Sequence, residues 1–400
     1  MSAPSTDVGV ARAEPLTGVW SDLVGQQAAV SVLRRAVAGG PHAMSHAWLI
    51  TGPPGSGRSN VAQSFAAALQ CERTPAGCGE CRACRTALSG AHPDVTLVRT
   101  ELLSIGVDEI RDLVRRASMS PSVGRHQVIV IEDSDRITER GADALLKSIE
   151  EPASRTVWLL CAPTAEDVVA TVRSRSRLLH LTTPTPAAVA DLLQRRDGID
   201  AETATRAARA AQGHIGRARV LARSADAWQR RSAVLQIPGR LRGLGACLEA
   251  AEALVKSSAE EAAQITGELD GKERAELEQA LGMGTKGVRN RSATAALREL
   301  EEQQKARGKR LQRDALDRAL TELTAYYRDV LSVQTGSGVE LINPELAAEI
   351  GALARRTRPE ATLRRIDALL ACREALETNV PPLLATEAML VAIVEADGEG

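Results

Sequence analysis

Four cysteines lie close together in the first quarter of the chain, with the spacing C-x6-C-x2-C-x2-C. Close-set thiolates suit a tetrahedral Zn²⁺ ion, and four sulfur ligands leave no open position for a substrate. The spacing therefore predicts a structural zinc site, not a catalytic one, formed by Cys71, Cys78, Cys81 and Cys84. The other three cysteines stand alone in apolar or helical stretches, where a small buried side chain is the usual role.

A glycine-rich segment, Gly52-Pro53-Pro54-Gly55-Ser56-Gly57-Arg58-Ser59, follows a predicted strand and precedes a predicted helix. Such a P-loop turns backbone N–H groups toward an anion, and the helix N-terminus adds partial positive charge. Arg58 departs from the pattern, because the usual lysine is a compact charge that a planar guanidinium does not replace. Two interpretations follow: the loop binds ATP or ADP without efficient hydrolysis, or it keeps the turn and binds nothing. The candidate nucleotide-binding residues are Gly52, Gly55, Gly57, Arg58 and Ser59.

An acidic pair, Glu132 and Asp133, follows the apolar run Val128–Ile131. Carboxylates in this position hold the Mg²⁺ shell and polarise water in Walker-type ATPases, where Asp comes first and Glu second. The order here is reversed, so each carboxylate is displaced by one methylene group, and such a misplacement lowers the rate of catalysis. The pair is a candidate part of the same degenerate site, and the simpler alternative is a solvated strand end.

Three arginines alternate in the segment Thr171–Arg177, at Arg173, Arg175 and Arg177. Such a run is usually a solvated charge cluster. The functional alternative is an arginine finger, in which one guanidinium reaches a phosphate on a neighbouring subunit. A further arginine, Arg217, lies near a predicted helix start and is a candidate member of the nucleotide site.

The elements that position these residues change in type along the chain. Apolar runs at 47–50, 95–98, 128–131 and 157–160 alternate with helical patterns, which predicts parallel strands covered by helices on both faces. Thr138 is the expected cap of one such helix, and Pro152 ends it. Beyond Thr183 the strand pattern stops and helical periodicity continues to the end. The predicted fold is a doubly wound parallel α/β domain followed by helical domains.

These patterns predict the following division of the chain: a disordered lead-in over 1–17, the α/β domain over 18–183 with a zinc insert at about 71–84, a small helical domain over 184–230, and a large helical domain over 231–400. Residues 285–313 carry nine basic and three acidic side chains. A solvated, partly disordered insert is the favoured interpretation of this basic run, and proximity to DNA phosphates is the alternative.

Composition limits the function classes. The chain has 400 residues, 50 basic and 51 acidic side chains and only 2% aromatic residues, which disfavours aromatic platforms for single-stranded nucleic acids. No apolar run approaches the length that spans a bilayer, and the start lacks a leader pattern. Seven cysteines in so long a chain do not form a disulfide framework. A soluble cytoplasmic protein with no membrane partner is therefore expected.

The chain resembles the bacterial DNA polymerase III clamp-loader subunits, the gamma/tau and delta-prime group of AAA+ proteins. The resemblance is dense over residues 18–225. It depends on the P-loop, the four cysteines and the following segments: Trp20–Gln26, His46–Gly52, Val107–Arg111, Ala144–Pro152 and Ser174–Ser176. It implies an AAA+ domain, a lid at 184–230 and an oligomeric collar at 231–400.

Within this family the departures at Arg58, Glu132 and Asp133, together with apolar Ala162-Pro163 at a strand end and the lack of a long disordered tail, favour the delta-prime or stator type. The resemblance implies little intrinsic ATPase activity, with Arg175 of the Ser-Arg-Ser motif acting on ATP of the adjacent gamma/tau subunit. It implies gamma/tau, delta, the sliding clamp (beta) and primed DNA as partners. The alternatives are a gamma/tau-like motor or a related autonomous AAA+ ATPase, and more weakly a zinc-dependent DNA-binding protein.

Overall fold

The computed structural model describes residues 16–100, 104–281, 291–378 and 380–396. The chain forms two compact units, with the division between Ala222 and Arg223. The predicted lead-in at 1–17 lies, except for its last two residues, outside the described residues. The helix that follows the division belongs to the second unit, because its Arg231 pairs with Glu322 and Glu345 there. The division therefore falls earlier than the boundary at 230 expected from periodicity.

The first unit is built on a five-stranded sheet in which every pairing is parallel. Its strand order is β2-β3-β4-β1-β5, so β1 lies between two strands that come much later in the chain. The strands are β1 (Ala47–Thr51), β2 (Val95–Val98), β3 (Gln127–Ile131), β4 (Thr156–Ala162) and β5 (Arg177–His180). Four of them were predicted, and β5 was missed because its ends are Arg and His.

The described residues of this unit form nine α-helices that flank or follow the sheet: α1 (Gln27–Val37), α2 (Arg58–Gln70), α3 (Arg82–Leu88), α4 (Val107–Ala117), α5 (Glu139–Glu150), α6 (Ala170–Arg173), α7 (Pro186–Asp197), α8 (Ala201–Ala210) and α9 (Ile215–Arg223). Successive residues of β1 face opposite sides of the sheet, since Trp48 packs against Phe65 in one apolar core and Leu49 lies in the other core, which also contains Ile129. Both faces are therefore covered, which confirms the doubly wound α/β prediction.

Helix boundaries in this unit follow local signals. The Thr138 hydroxyl accepts a hydrogen bond from the Gly141 N–H at 3.2 Å and caps α5, as predicted. Thr185 caps α7 in the same way, ahead of Pro186. Helix α2 begins directly after Gly57, whose φ of +92° is readily adopted only by glycine. The P-loop thus leads straight into the N-terminus of α2.

Every secondary-structure element in the described residues of the second unit is a helix, which confirms the helical C-terminal prediction. Its helices are α10 (Ala225–Leu235), α11 (Ile237–Arg240), α12 (Leu244–Ala280), α13 (Arg291–Thr335), α14 (Ala347–Arg356), α15 (Pro359–Glu377) and α16 (Pro382–Glu395). Leu323, Val330 and Leu390 lie in its apolar core. Helices α12 and α13 pair antiparallel, since Arg318 contacts Glu261 at 2.8 Å and Arg307 contacts Glu273 at 2.6 Å.

Most of the basic run lies on α13, and its residues 285–290 lie outside the described residues. Arg307 is 7% exposed and binds Glu273 with both terminal nitrogens. Lys305 and Lys309 are exposed. The interpretation as a solvated insert is therefore wrong for Arg307, which pairs with Glu273 of α12. The described part of the run is helical, and the exposed Lys305 and Lys309 agree with the solvated interpretation.

Candidate functional site

The P-loop connects the carboxyl end of β1 to α2, and side chains of the same chain contact it. The Arg58 guanidinium donates a hydrogen bond through Nη1 to the carbonyl of Gly52, the first residue of the same loop. A Cβ added at Gly55 would lie 2.2 Å from Cγ of His214, so only glycine fits against this histidine. The arginine that replaces the P-loop lysine is therefore folded back onto its own loop.

The acidic pair lies beside the start of α2, as the sequence predicted. The Ser59 hydroxyl donates to Oε2 of Glu132 at 2.9 Å, and Nε of Arg99 lies 2.7 Å from Oε1 of the same carboxylate. Burial, followed by the nearby charge of Asp133, raises the pKa of Asp135. Ser59 and Glu132 present oxygen ligands of the type that Mg²⁺ takes, so this pair fits the ion. Arg58 does not fit the role of the P-loop lysine.

Two residues that sequence reasoning missed complete the surroundings of the loop. Gln26 is buried, and its amide donates to the carbonyls of Ser56 at 3.2 Å and Thr182 at 2.7 Å. His214 was interpreted as a turn or core residue. It directly precedes α9 and packs against Gly55 of the P-loop. Arg217, the candidate from the same segment, lies in the first turn of α9, and its backbone N–H donates to Nδ1 of His214 at 3.2 Å. The glycine at 55 was the only available signal for His214.

The four predicted cysteine ligands come together at the other end of α2. Their sulfur atoms all lie within 4.8 Å of one another, with Cys71 and Cys78 Sγ 3.7 Å apart and Cys71 and Cys81 Sγ 4.0 Å apart. Four sulfurs at about 2.3 Å from a tetrahedral zinc ion lie about 3.8 Å from one another. These two pairs match this separation, and every pair lies within about 1 Å of it, so the four cysteines suit a tetrahedral zinc ion.

Backbone groups around this cysteine cluster favour thiolates. The N–H groups of Cys81 and Cys84 each donate to the sulfur three residues earlier, at 3.4 Å. Burial raises the pKa of Cys71, but hydrogen bonds from the backbone, with Cys78 first, outweigh it and lower the pKa to about 6. Burial raises the pKa of Cys84. A thiolate at neutral pH is the form that binds metal.

The three alternating arginines have different surroundings. Arg177 stacks over Trp48 with 4.9 Å from Cζ to the ring centroid and donates to the carbonyl of Ala43, so it is structural. Arg173 donates to the carbonyl of Ala165 at 3.3 Å. Arg175 lies on the turn between α6 and β5, where its side chain is 41% exposed and its Nε contacts Glu150 at 2.5 Å. Arg175 thus combines exposure with a defined orientation.

A parallel sheet with a P-loop after its β1 strand, helices on both faces and helices after it is the AAA+ arrangement that the motifs predicted. The family model described as "DNA polymerase III, delta subunit" matches residues 25–185, and "DNA polymerase III, delta subunit, C terminal" matches residues 272–394. Together they cover more than two thirds of the chain. The chain belongs to the family of DNA polymerase III clamp-loader subunits.

Similar curated proteins include both members of the predicted group. The delta-prime subunit of Pseudomonas aeruginosa is 37% identical over 38% of this chain and 48% of its own length, and that of Escherichia coli is 32% identical over 48% and 58%. The tau subunit of Bacillus subtilis is 26% identical over 94% of this chain and 61% of its own length. The chain thus spans roughly half to three fifths of these relatives.

Among solved structures, a DNA polymerase III gamma subunit-related protein of Thermotoga maritima is 14% identical, covers 92% of this chain and 99% of its own, and has a TM-score of 0.37. A RuvB variant is 16% identical over 60% of this chain and 73% of its own, with a TM-score of 0.38. With scores below 0.5, the family assignment depends on the sequence matches. Across the described residues, every helix is too short or too polar to cross a membrane.

Proposed function

We propose that this chain is the delta-prime type of clamp-loader subunit, which presents an arginine to ATP on a neighbouring gamma/tau subunit and hydrolyses little ATP itself. The observation that carries the proposal is the contrast between two arginines. Arg58 is bound to its own loop at the Gly52 carbonyl, whereas Arg175 is exposed on a turn. The first arrangement disfavours catalysis within the chain, and the second favours catalysis between chains.

Weak catalysis at the chain's own P-loop follows from three features. The Arg58 guanidinium is engaged with Gly52, so it does not present a compact charge to terminal phosphates. Glu132 is paired with both Ser59 and Arg99. Strand β4 ends in buried, apolar Ala162, which offers no polar group to the reaction. ATP or ADP with Mg²⁺ would be held by the loop N–H groups, Ser59 and Glu132, with slow turnover.

The trans role of Arg175 is supported by the chemistry of phosphoryl transfer. A guanidinium supplied by a neighbouring chain stabilises the charge that develops on the transferred group, and its planar fork binds two oxygens at once. Arg175 lies on an exposed turn and not in the core. The gamma/tau subunit would provide the complete P-loop opposite it.

Structural zinc at the four cysteines belongs to the same proposal. The cluster follows α2 directly, and Sγ of Cys84 lies 3.6 Å from the carbonyl oxygen of Ala67 within that helix. Bound zinc would fix the end of α2 that lies away from the P-loop. The second unit would supply the chain's share of a collar with gamma/tau and delta, and the assembly would place the beta sliding clamp on primed DNA.

Reconstitution tests the proposal. The chain is mixed with gamma/tau and delta subunits, the mass of the assembly is measured, and ATP hydrolysis is followed with the clamp and primed DNA present. We expect a defined hetero-oligomer whose stimulated ATPase needs Arg175, while the isolated chain turns over ATP negligibly. Failure to assemble with the other two subunits would contradict the proposal.

A second candidate, a gamma/tau-like motor, is favoured by one observation: the tau relative aligns over 94% of this chain. Its test is turnover by the isolated chain. Steady ATP hydrolysis that disappears in Arg58→Ala would favour the motor over the delta-prime type, because it would show that the degenerate loop is catalytic.

A further inference from the structure

Helix α5 ends on an acidic residue. Glu150 is its last residue and Glu151 follows it. The carboxyl end of a helix carries partial negative charge, so a carboxylate there is unfavourable unless a cation compensates it. Arg175 is that cation, because its Nε lies 2.5 Å from Oε1 of Glu150. The pair joins the end of α5 to the arginine turn across 25 residues of sequence.

The guanidinium of Arg175 is held at three points. In addition to Glu150, its Nη1 donates to the carbonyl of Thr171 at 3.0 Å and to the hydroxyl of Ser174 at 3.2 Å. A planar group fixed through two of its nitrogens has a defined orientation. These contacts involve Nε and Nη1, so Nη2 is not used by any of the three.

The neighbouring arginines lack this arrangement. Arg173 lies 3.9 Å from Glu166, at the limit of an ion pair. Arg177 is folded over Trp48. Arg175 alone of the three has a close carboxylate together with an exposed side chain, and Glu150 itself is 45% exposed. An exposed ion pair of this kind contributes little to the free energy of unfolding. Its effect is on orientation.

We infer that Glu150 is a positioning residue for Arg175, which aligns the guanidinium before it meets the phosphates of a nucleotide on the neighbouring subunit. The inference rests on the proposed function. A free arginine side chain has many rotamers, and ordering it lowers the entropy of each encounter with the transition state. Glu150 orders the side chain in advance, so less ordering is left for the reaction.

The test uses the complex reconstituted with gamma/tau and delta, with the clamp and primed DNA. Glu150→Ala should lower the kcat of stimulated ATP hydrolysis about tenfold with KM for ATP unchanged, since alignment acts in the transition state. Glu150→Gln keeps an oxygen that accepts the Nε–H hydrogen bond, so it should retain most of the rate. Glu166→Ala removes the more distant carboxylate beside Arg173 and is the matched control, with the wild-type rate expected.

The double variant Glu150→Ala with Arg175→Ala separates positioning from general damage. It should be no slower than Arg175→Ala alone, because Glu150 acts only through Arg175. An additive loss in the double variant would overturn the inference. So would an unchanged kcat in Glu150→Ala, or an increased kcat, which would indicate that Glu150 restrains Arg175 instead of aligning it. Melting temperature and assembly mass check the folding of each variant. A wild-type rate in Arg175→Ala would instead overturn the proposed function, which keeps the two failures distinguishable.

Discussion

Arg58 and Arg175 are the same residue type in the same unit, yet their surroundings differ. Arg58 begins α2, and its guanidinium contacts the carbonyl of Gly52 in its own P-loop. Arg175 lies on a turn, where Glu150 supports it and the side chain stays partly exposed. A guanidinium has five N–H donors. The position of their acceptors decides whether the group stabilises its own chain or is available to another.

The difference shows how one unit can hold one arginine against its own backbone and leave another partly exposed. The P-loop is contacted by three side chains of the same chain, those of Gln26, Arg58 and His214. The turn that carries Arg175 is also held by contacts within the chain, but these contacts involve only Nε and Nη1 of the guanidinium.

Arg175→Ala should have the largest effect. In the reconstituted complex, we expect hydrolysis at the facing ATP site to fall about a thousandfold, because a trans arginine stabilises the transferred phosphoryl group to this extent in related reactions. Assembly should be unchanged, as measured by mass. Arg175→Lys should restore little activity, since a point charge does not reproduce the fork. Arg173→Ala is the control, and a larger loss there would show that the finger is the wrong arginine.

Zinc removal should destabilise α2, the helix that follows the P-loop, and not the turn that carries Arg175. We expect one zinc per chain by metal analysis, with Cys81→Ser abolishing binding and lowering the free energy of unfolding by on the order of 3 kcal/mol. Cys247→Ser changes a cysteine of the second unit and should keep the metal content. Unchanged zinc in Cys81→Ser, or no zinc in the wild type, would contradict the assignment.

Arg58→Ala should have a smaller effect, on stability alone. The charged hydrogen bond to Gly52 is lost, and we expect the free energy of unfolding to fall by about 1 to 2 kcal/mol in a denaturant titration. ATP turnover by the isolated chain should be negligible before and after the change. If the wild-type chain hydrolyses ATP and Arg58→Ala abolishes this activity, Arg58 is a catalytic residue and the proposed contrast with Arg175 is wrong.

The smallest effect is expected in the basic run on α13. Arg307 is buried against Glu273, so the basic run is partly neutralised within its own helix pair. Lys305→Glu with Lys309→Glu should leave the salt dependence of DNA-stimulated loading nearly unchanged, with the slope altered by less than about one. A clearly flatter slope would place these side chains near DNA phosphates, which is the alternative interpretation of the run.

Local sequence signals predicted the parts of the molecule that depend on local chemistry. The P-loop, the Thr138 cap and the clustered cysteines are each defined within a short segment, and their positions in the structure agree. The strand runs followed from apolar composition on both faces. These features need no knowledge of distant residues, because their hydrogen bonds and side-chain periodicity are set by neighbours in sequence.

The missed features all depend on contacts between distant segments. Gln26 reaches the carbonyl of Thr182, 156 residues away, and no pattern around position 26 indicates this partner. His214 is defined by its approach to Gly55. Strand β5 has alternating burial, so its short sequence looks like a polar connection. Such contacts can be predicted only when the order of the strands in the sheet is known.

The position of β1 has a consequence for the synthesis of the protein. Leu49 pairs with Leu160 on one side and Leu178 on the other, and both partners follow it by more than 100 residues. At ribosomal rates of roughly 5 to 20 residues per second, its neighbours emerge roughly 6 to 26 seconds later. Until then the strand exposes an apolar surface with unpaired N–H and C=O groups, which favours association with other chains. We therefore expect the nascent chain to be most prone to aggregation, or to capture by chaperones, before residue 180 has left the ribosome.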